Sequence, residues 1–210
     1  MDKHTRNKKM LEAVRCFLDG RKVDWEEEIT EKEWVELFRL CMHHQILPMA
    51  YEAVYTCPAF ASVSPDRVRF LKSVIIRNVM IQSRKTEEFL QLYTKLTAEG
   101  LTPVVVKGIV CRNLYREPDY RCSADEDVLI PGEQFEKCHE LFLHNGMKQA
   151  DPAADIREAG EVPYYREGGV LCIELHKELF SSESAAYGEL NAFFADAFER
   201  KAWIQIGGVE

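Results

Sequence analysis

Two aspartates separated by one residue are the sharpest chemical feature of the sequence. Asp125 and Asp127 precede the apolar run Val128-Leu129-Ile130, which is typical of a strand. Side chains at positions i and i+2 of a strand point to the same face, so both carboxylates would lie together. Two carboxylates that close repel each other unless a cation neutralises them, and Mg²⁺ takes oxygen ligands of this kind. An acidic turn in solvent would show the same pattern, so the pair alone leaves both interpretations open.

Lys107 and Gly108 form a second candidate site. They follow the β-branched run Val104-Val105-Val106 and precede a helical pattern. Glycine lets the backbone approach a ligand closely, and N–H groups at the start of a helix favour phosphate. Lys107 would add a positive charge. The alternative interpretation is a tight turn with an exposed lysine.

A third candidate is the run Ile173-Glu174-Leu175-His176, which follows the hairpin signal Gly168-Gly169. Ile173 and Leu175 would face the core, and Glu174 and His176 would face the other side. If this strand lies beside residues 125–130, Glu174 completes a group of three carboxylates. Otherwise the run is an edge strand with one face in water.

The sequence of the first hundred residues predicts helices without candidate catalytic or ligand-binding residues. Thr30 and Glu33 have capping-box spacing. Ser64 followed by Pro65 predicts the start of a further helix, and Gly100 is placed where that helix would stop. We therefore expect a helical scaffold or cover over residues 1–100.

Residues 101–210 predict a mixed α/β domain, because short strands alternate with helical patterns. The predicted strands cover 103–106, 125–130, 162–166 and 170–176, and the predicted helices cover 109–115 and 133–145. A helix over 191–202 and a strand over 203–206 would follow. The chain then reaches Gly207-Gly208, so we expect a core that is truncated at its C-terminal end.

The charge of the chain is acidic and unevenly placed. Lys and Arg number 27 against 35 Asp and Glu, which gives a formal net charge of -8. Residues 1–100 carry 16 basic and 15 acidic side chains, whereas residues 101–210 carry 11 and 20. General nucleic-acid binding requires Lys and Arg to neutralise phosphates, so this balance weighs against it. The acidic excess lies in the half that contains Asp125 and Asp127.

The sequence does not predict a membrane or secreted protein. Apolar stretches such as Val74-Ile75-Ile76 are far shorter than the roughly 18 residues of a membrane span, and the N-terminal residues lack a signal-peptide pattern. The seven cysteines contain no CxxC pair, and the histidines do not cluster with them at zinc-ligand spacing. We expect a cytoplasmic protein with reduced thiols.

Taken together, these pieces resemble the nucleotidyltransferase superfamily, and in particular a poorly characterised bacterial family of it. The motifs that carry the resemblance are Val106-Lys107-Gly108, Leu114-Tyr115, Pro118, Arg121, Asp125-Glu126-Asp127-Val128-Leu129-Ile130 and Ile173-Glu174-Leu175-His176. The resemblance implies a nucleotidyltransferase-like mixed sheet with flanking helices, preceded by an all-helical N-terminal region. It also implies transfer of a nucleotidyl group from a nucleoside triphosphate to an acceptor hydroxyl, with release of pyrophosphate.

The resemblance implies a role for each matching residue. Asp125, Asp127 and Glu174 would hold Mg²⁺, with two ions possible, and Lys107, Gly108 and Arg121 would contact phosphate. His176 would support the carboxylate strand. The acceptor would be a small molecule, a protein or RNA, and the resemblance does not distinguish among them. The pattern usually has an apolar residue between the aspartates, and a buried Glu126 would be costly unless paired.

Two other functions remain open at this point. The same fold serves as a non-catalytic module that senses nucleotides or binds partners, because fold alone does not determine function. A helical scaffold with an inert α/β domain is the third possibility.

Overall fold

The computed structural model describes residues 1–182 and 184–209. The chain forms two compact units. The first contains Met1–Gln82 and Leu114–Cys122, and the second contains Ser83–Asn113 and Ser123–Glu210. The division into a helical N-terminal region over 1–100 and a nucleotidyltransferase-like core over 101–210 stays a prediction.

The first unit is built from helices around an aromatic core. Its helices are α1 (Lys3–Leu18), α2 (Glu31–His43), α3 (Leu47–Val54) and the first half of α4 (Pro65–Ala98), with 3₁₀ turns at Pro58–Ser62 and Pro118–Tyr120. The predicted capping box begins α2: the Thr30 side chain accepts from the N–H of Glu33, and the Glu33 carboxylate accepts from the N–H of Thr30. Trp34 is fully buried and stacks on Phe38. The predicted all-helical lead-in is therefore present.

Helix α4 begins at Pro65, as predicted, and is 34 residues long. Its residues belong to the first unit up to Gln82 and to the second from Ser83. Gly100 follows its C-terminal end with φ of +81°, a conformation that favours glycine. Within residues 1–182 and 184–209, every helix is too short or too polar to cross a lipid bilayer.

The second unit contains a five-stranded mixed sheet. Its strands are β1 (Val104–Val105), β2 (Glu126–Leu129), β3 (Met147–Gln149), β4 (Glu161–Arg166) and β5 (Cys172–His176), in the order β1-β2-β5-β4-β3. Strands β2 and β5 are parallel, and the other neighbours are antiparallel. The predicted α/β class is confirmed.

Two further helices of the second unit lie between its strands in sequence. They are α5 (Ile109–Arg112) and α6 (Phe135–His144), and a 3₁₀ turn at Gly132–Gln134 leads into α6. Phe142 of α6 meets Tyr164 of β4 edge-on, with 4.9 Å between ring centroids. Val162 and Leu175 are buried in the same core, so one face of the sheet packs on apolar side chains.

Several predicted elements differ from the observed ones. Strand β1 is a half-buried edge strand of two residues, and α5 ends at Arg112 instead of residue 115. Residues 191–202 do not form the predicted helix: a 3₁₀ turn covers Gly188–Phe194 and irregular turns follow. Phe193 there is 73% exposed and Phe194 is 46% exposed, so the segment lacks the buried apolar face that a helix of that length needs. The predicted strand over 203–206 is reduced to one bridge between Ile206 and Val209.

Candidate active site

The parallel pairing of β2 with β5 places Asp127 directly beside Glu174. In-register residues of neighbouring strands project to the same face of a sheet. His176 lies two residues after Glu174 and therefore shares that face. One ligand atom from each of Asp127, Glu174 and His176 lies within 4.8 Å of the others. The structure thus brings together two carboxylates and one imidazole.

Asp127 is the most buried carboxylate of this group, at 2% exposure. Its Oδ1 accepts a hydrogen bond from Lys107 Nζ at 2.7 Å. Burial opposes ionisation of Asp127, but the nearby Lys107 and His176 outweigh it and hold the pKa of the carboxyl below its usual value. Asp127 is therefore an ionised carboxylate at neutral pH.

Glu174 is partly exposed and lies in a negative field. Desolvation raises the pKa of its carboxyl, and the charges of Asp125, Glu161 and Asp127 raise it further. A carboxylate in this environment is stabilised when a cation joins the group. Glu174 is thus suited to bind one.

His176 is 5% exposed, and its Nε2 has no hydrogen-bond partner among the described residues. This nitrogen lies 3.5 Å from Asp127 Oδ1 and 3.7 Å from Glu174 Oε2. On the other ring nitrogen, Nδ1 lies 3.5 Å from Glu161 Oε2 of β4. An unpartnered buried nitrogen between two carboxylates fits a shared cation, so the residues present are compatible with a divalent metal.

Asp125 lies one residue before β2 and is half-buried. It is not part of the group formed by Asp127, Glu174 and His176, although its charge reaches Glu174. The metal-binding role predicted for Asp125 stays a prediction.

Lys85 of α4 holds the segment that precedes β2. Its Nζ donates to the carbonyl oxygens of Ser123 at 2.6 Å and Ala124 at 2.7 Å. The side chain is buried at 3% exposure, and this burial lowers the pKa of its ammonium group. No sequence motif singled out this residue. The sequence feature that could have indicated it is its spacing, because Lys85 lies four positions before Phe89 on the buried face of α4.

Glu126 is fully buried and points away from the two aspartates. It is paired: Arg112 Nη2 donates to its Oε1 at 3.0 Å, and the N–H of Ile109 donates to its Oε2. Arg112 also donates to Thr86 Oγ1 at 3.0 Å. Desolvation nevertheless raises the pKa of Glu126 above its usual value, against the opposing charge of Arg112. The expectation that a buried Glu126 needs a partner is met, but the partner was not predicted.

Gly108 adopts φ of +61° immediately before α5. A Cβ at this position would lie 1.9 Å from Glu126 Oε2, so only glycine fits here without movement. The N–H of Ile109, at the start of α5, is donated to Glu126. The phosphate-binding roles of Lys107 and Gly108 stay predictions, and this N–H is already used within the fold.

Arg121 belongs to the first unit, where it follows the 3₁₀ turn at Pro118–Tyr120 and is half-buried. Its backbone N–H donates to the carbonyl of Pro118 at 3.2 Å. Its predicted contact with phosphate stays a prediction.

A separate pocket of about 260 Å³ lies in the second unit beside α4 and β1. Its lining is mainly apolar and includes Phe89, Tyr93, Val105 and Trp203. No carboxylate or imidazole occurs in the described lining, so the pocket offers no ligands for a metal ion. Asp127, Glu174 and His176 therefore remain the candidate active site.

Comparison with known proteins places this fold in a family. The family model described as uncharacterised nucleotidyltransferase matches residues 30–210. The curated proteins and the solved structures gave no significant match. The family match covers most of the chain, and it includes the sheet, the paired strands β2 and β5 and every residue of the candidate site. The chain belongs to this family of nucleotidyltransferases.

Proposed function

We propose that this protein transfers a nucleotidyl group from a nucleoside triphosphate to an acceptor hydroxyl. In this reaction the hydroxyl oxygen bonds to the α-phosphorus. The bond between the α-phosphorus and the oxygen that bridges it to the β-phosphorus breaks. Pyrophosphate leaves with the electron pair, and the hydroxyl proton passes to solvent water. The observation that carries the proposal is the in-register pair Asp127 and Glu174 in a chain of this family.

The proposal assigns the carboxylates to metal binding. Asp127 and Glu174 would hold a divalent ion such as Mg²⁺, with Asp125 as the third carboxylate and a second ion possible. A bound divalent ion neutralises phosphate charge and stabilises the attacking and leaving oxygens. The remaining work is positioning, since phosphoryl-type transfers depend mainly on alignment and charge.

Basic residues would position the triphosphate. Lys107 reaches Asp127 with its ammonium, and its side chain is 67% exposed, so it is available to a phosphate at the same place. We include Gly108 and Arg121 as further phosphate contacts. The acceptor would be a small molecule, a protein or RNA, and the acidic charge of the chain weighs against general nucleic-acid binding.

The test follows label from the α-phosphate of each nucleoside triphosphate into small-molecule, protein and RNA fractions, together with pyrophosphate release. Asp127→Asn keeps the shape of the side chain but removes its charge. We expect at least about a hundredfold loss of transfer, because even indirect partners of metal ligands contribute 10- to 100-fold. Asp24→Asn, at an exposed carboxylate, is the matched control. Transfer that survives Asp127→Asn contradicts the proposal.

A second candidate is a module that binds nucleotide without turnover. The observation that favours it is that groups of the site already bind one another. Lys107 pairs with Asp127, and Glu126 accepts the N–H of Ile109. Metal-dependent nucleotide binding with no label transfer to any fraction would support this alternative over the enzyme.

A further inference from the structure

His176 carries a nitrogen that the scheme of carboxylates and Mg²⁺ does not use. Its Nε2 is buried, has no hydrogen-bond partner among the described residues and lies between Asp127 and Glu174. Leaving a buried polar atom unpaired is costly, so such an atom in a native fold calls for a partner. Two carboxylate oxygens lie 3.5 and 3.7 Å from it, and a cation would satisfy all three atoms.

The distances from His176 Nε2 to the two carboxylates suit direct coordination. Two ligands bound to one ion at about 2.1 Å lie roughly 3 to 4.2 Å apart, depending on the angle between them. His176 Nε2 is 3.5 Å from Asp127 Oδ1 and 3.7 Å from Glu174 Oε2. The nitrogen therefore lies at the distance of a direct ligand to the ion, and not in the position of a residue that only supports the two carboxylates.

A carboxylate also lies near the opposite ring nitrogen. Metal-bound histidines usually donate their other N–H to a carboxylate or carbonyl, which fixes the ring and its tautomer. Nδ1 of His176 faces Glu161 Oε2 at 3.5 Å, and Glu161 is the residue paired with His176 across β4 and β5. Glu161 thus fits the role of a positioning residue for this imidazole.

We propose that His176 Nε2 coordinates the metal together with Asp127 and Glu174, so that the site prefers a divalent transition ion to Mg²⁺. Imidazole suits borderline transition ions, whereas Mg²⁺ prefers oxygen ligands and keeps its waters. This inference rests on the proposed function only in using the same carboxylates.

The test measures Mn²⁺ on the full chain without nucleotide. Electron spin-echo modulation detects nitrogen-14 bound directly to Mn²⁺, and free-ion titrations give the affinities for Mn²⁺ and Mg²⁺. We expect nitrogen modulation and an affinity at least about tenfold higher for Mn²⁺ than for Mg²⁺. His176→Gln should remove the modulation and weaken Mn²⁺ binding by roughly 10- to 100-fold, with a smaller effect on Mg²⁺. His4→Gln, at an exposed histidine, is the control.

Glu161→Gln keeps the test decisive if His176→Gln fails to fold. Glu161 has a side chain that is 63% exposed, so its substitution should leave the fold intact. We expect it to weaken Mn²⁺ binding severalfold while the nitrogen modulation persists, because the histidine remains and only its orientation loosens.

Two results would overturn the inference: Mn²⁺ that binds without nitrogen modulation, and no binding of Mn²⁺ at all. These results separate it from the proposed function. Label transfer with Mg²⁺ and no nitrogen signal would keep the enzyme and reject His176 as a ligand. A nitrogen signal without transfer to any fraction would keep the metal site and reject the enzyme.

Discussion

Lys107 Nζ lies 2.7 Å from Asp127 Oδ1, so the most buried carboxylate of the site already has a cation. The hydrogen bond to Asp127 is the main cause that raises the pKa of Lys107 above its ordinary value. A metal ion on the same oxygen would repel the ammonium at this short distance. Because the lysine stem is mostly exposed, the ammonium is free to move to a phosphate instead.

The first prediction concerns this competition. Lys107→Met should strengthen Mn²⁺ binding in the absence of nucleotide by about two- to fivefold, the range expected for removal of one exposed partner of an ion pair. The same variant should weaken binding of the metal–nucleotide complex, because a phosphate contact is lost. Mn²⁺ titrations with and without nucleoside triphosphate measure both effects.

Lys148→Met provides the control, since Lys148 forms an exposed pair with Glu167. It should change neither affinity. If Lys107→Met weakens Mn²⁺ binding as well, the lysine supports the metal site and does not compete with the ion.

The second prediction concerns the buried pair formed by Arg112 and Glu126. Both side chains are fully buried. Removing Arg112 leaves Glu126 in the core either charged or protonated, and removing Glu126 leaves the charge of Arg112 uncompensated. Arg112→Leu and Glu126→Leu should each destabilise the protein by about 3–5 kcal/mol. The double variant should lose clearly less than the two single losses together.

Urea unfolding of the unchanged protein, the two single variants and the double variant completes this cycle. The same cycle on the exposed pair Arg157 and Glu136 serves as the control. Strictly additive losses at Arg112 and Glu126 would show that the ion pair contributes nothing beyond its packing.

The Arg112→Leu variant also has a predictable pH dependence. Burial already raises the pKa of Glu126 above 4.5 in the folded protein, and loss of Arg112 should raise it further. Above this raised pKa, the folded state bears the cost of the buried charge, whereas the unfolded carboxyl ionises freely. Below about pH 4.5 the carboxyl is protonated in both states, so this cost disappears. The stability difference from the natural sequence should therefore shrink as the pH falls from 7 towards 4.5.

The alternation of apolar and polar residues made the paired strands predictable. Ile173 and Leu175 are buried in the core, as their period of two predicted, and a strand that contains Glu174 does lie beside the one that contains Asp127. The hairpin around Gly168-Gly169 was equally clear, because its turn residues separate two such runs. These features depend on local spacing, which a sequence displays directly.

The rest depended on contacts between residues distant in sequence. Lys85 and Arg112 look like ordinary helical cations, and only the tertiary structure shows which carbonyls and which carboxylate they bind. The role of His176 depends on the register between β2 and β5, which sets its distance to Asp127. Strand β3 was missed because three residues are too few to show a period.

The last prediction concerns Gly108, where two separate effects would act together. Its φ of +61° disfavours any residue with a Cβ, and that Cβ would also lie 1.9 Å from Glu126 Oε2 and 2.9 Å from the carbonyl of Asp125. Gly100 provides a matched control, since its φ is +81° but no atom lies within 4 Å of a Cβ there. Gly100→Ala should therefore lose only the conformational term, about 1–2 kcal/mol.

Gly108→Ala should lose more than Gly100→Ala by a further 1–3 kcal/mol or so, the usual cost of overpacking. Because the displaced atoms include the buried Glu126 carboxylate and the backbone of Asp125, the same variant should weaken Mn²⁺ binding, and Gly100→Ala should not. Thermal unfolding and Mn²⁺ titration measure the two effects. Equal losses of stability in the two variants would mean that Glu126 moves aside without cost, so that its buried pair does not fix the backbone beside Asp125.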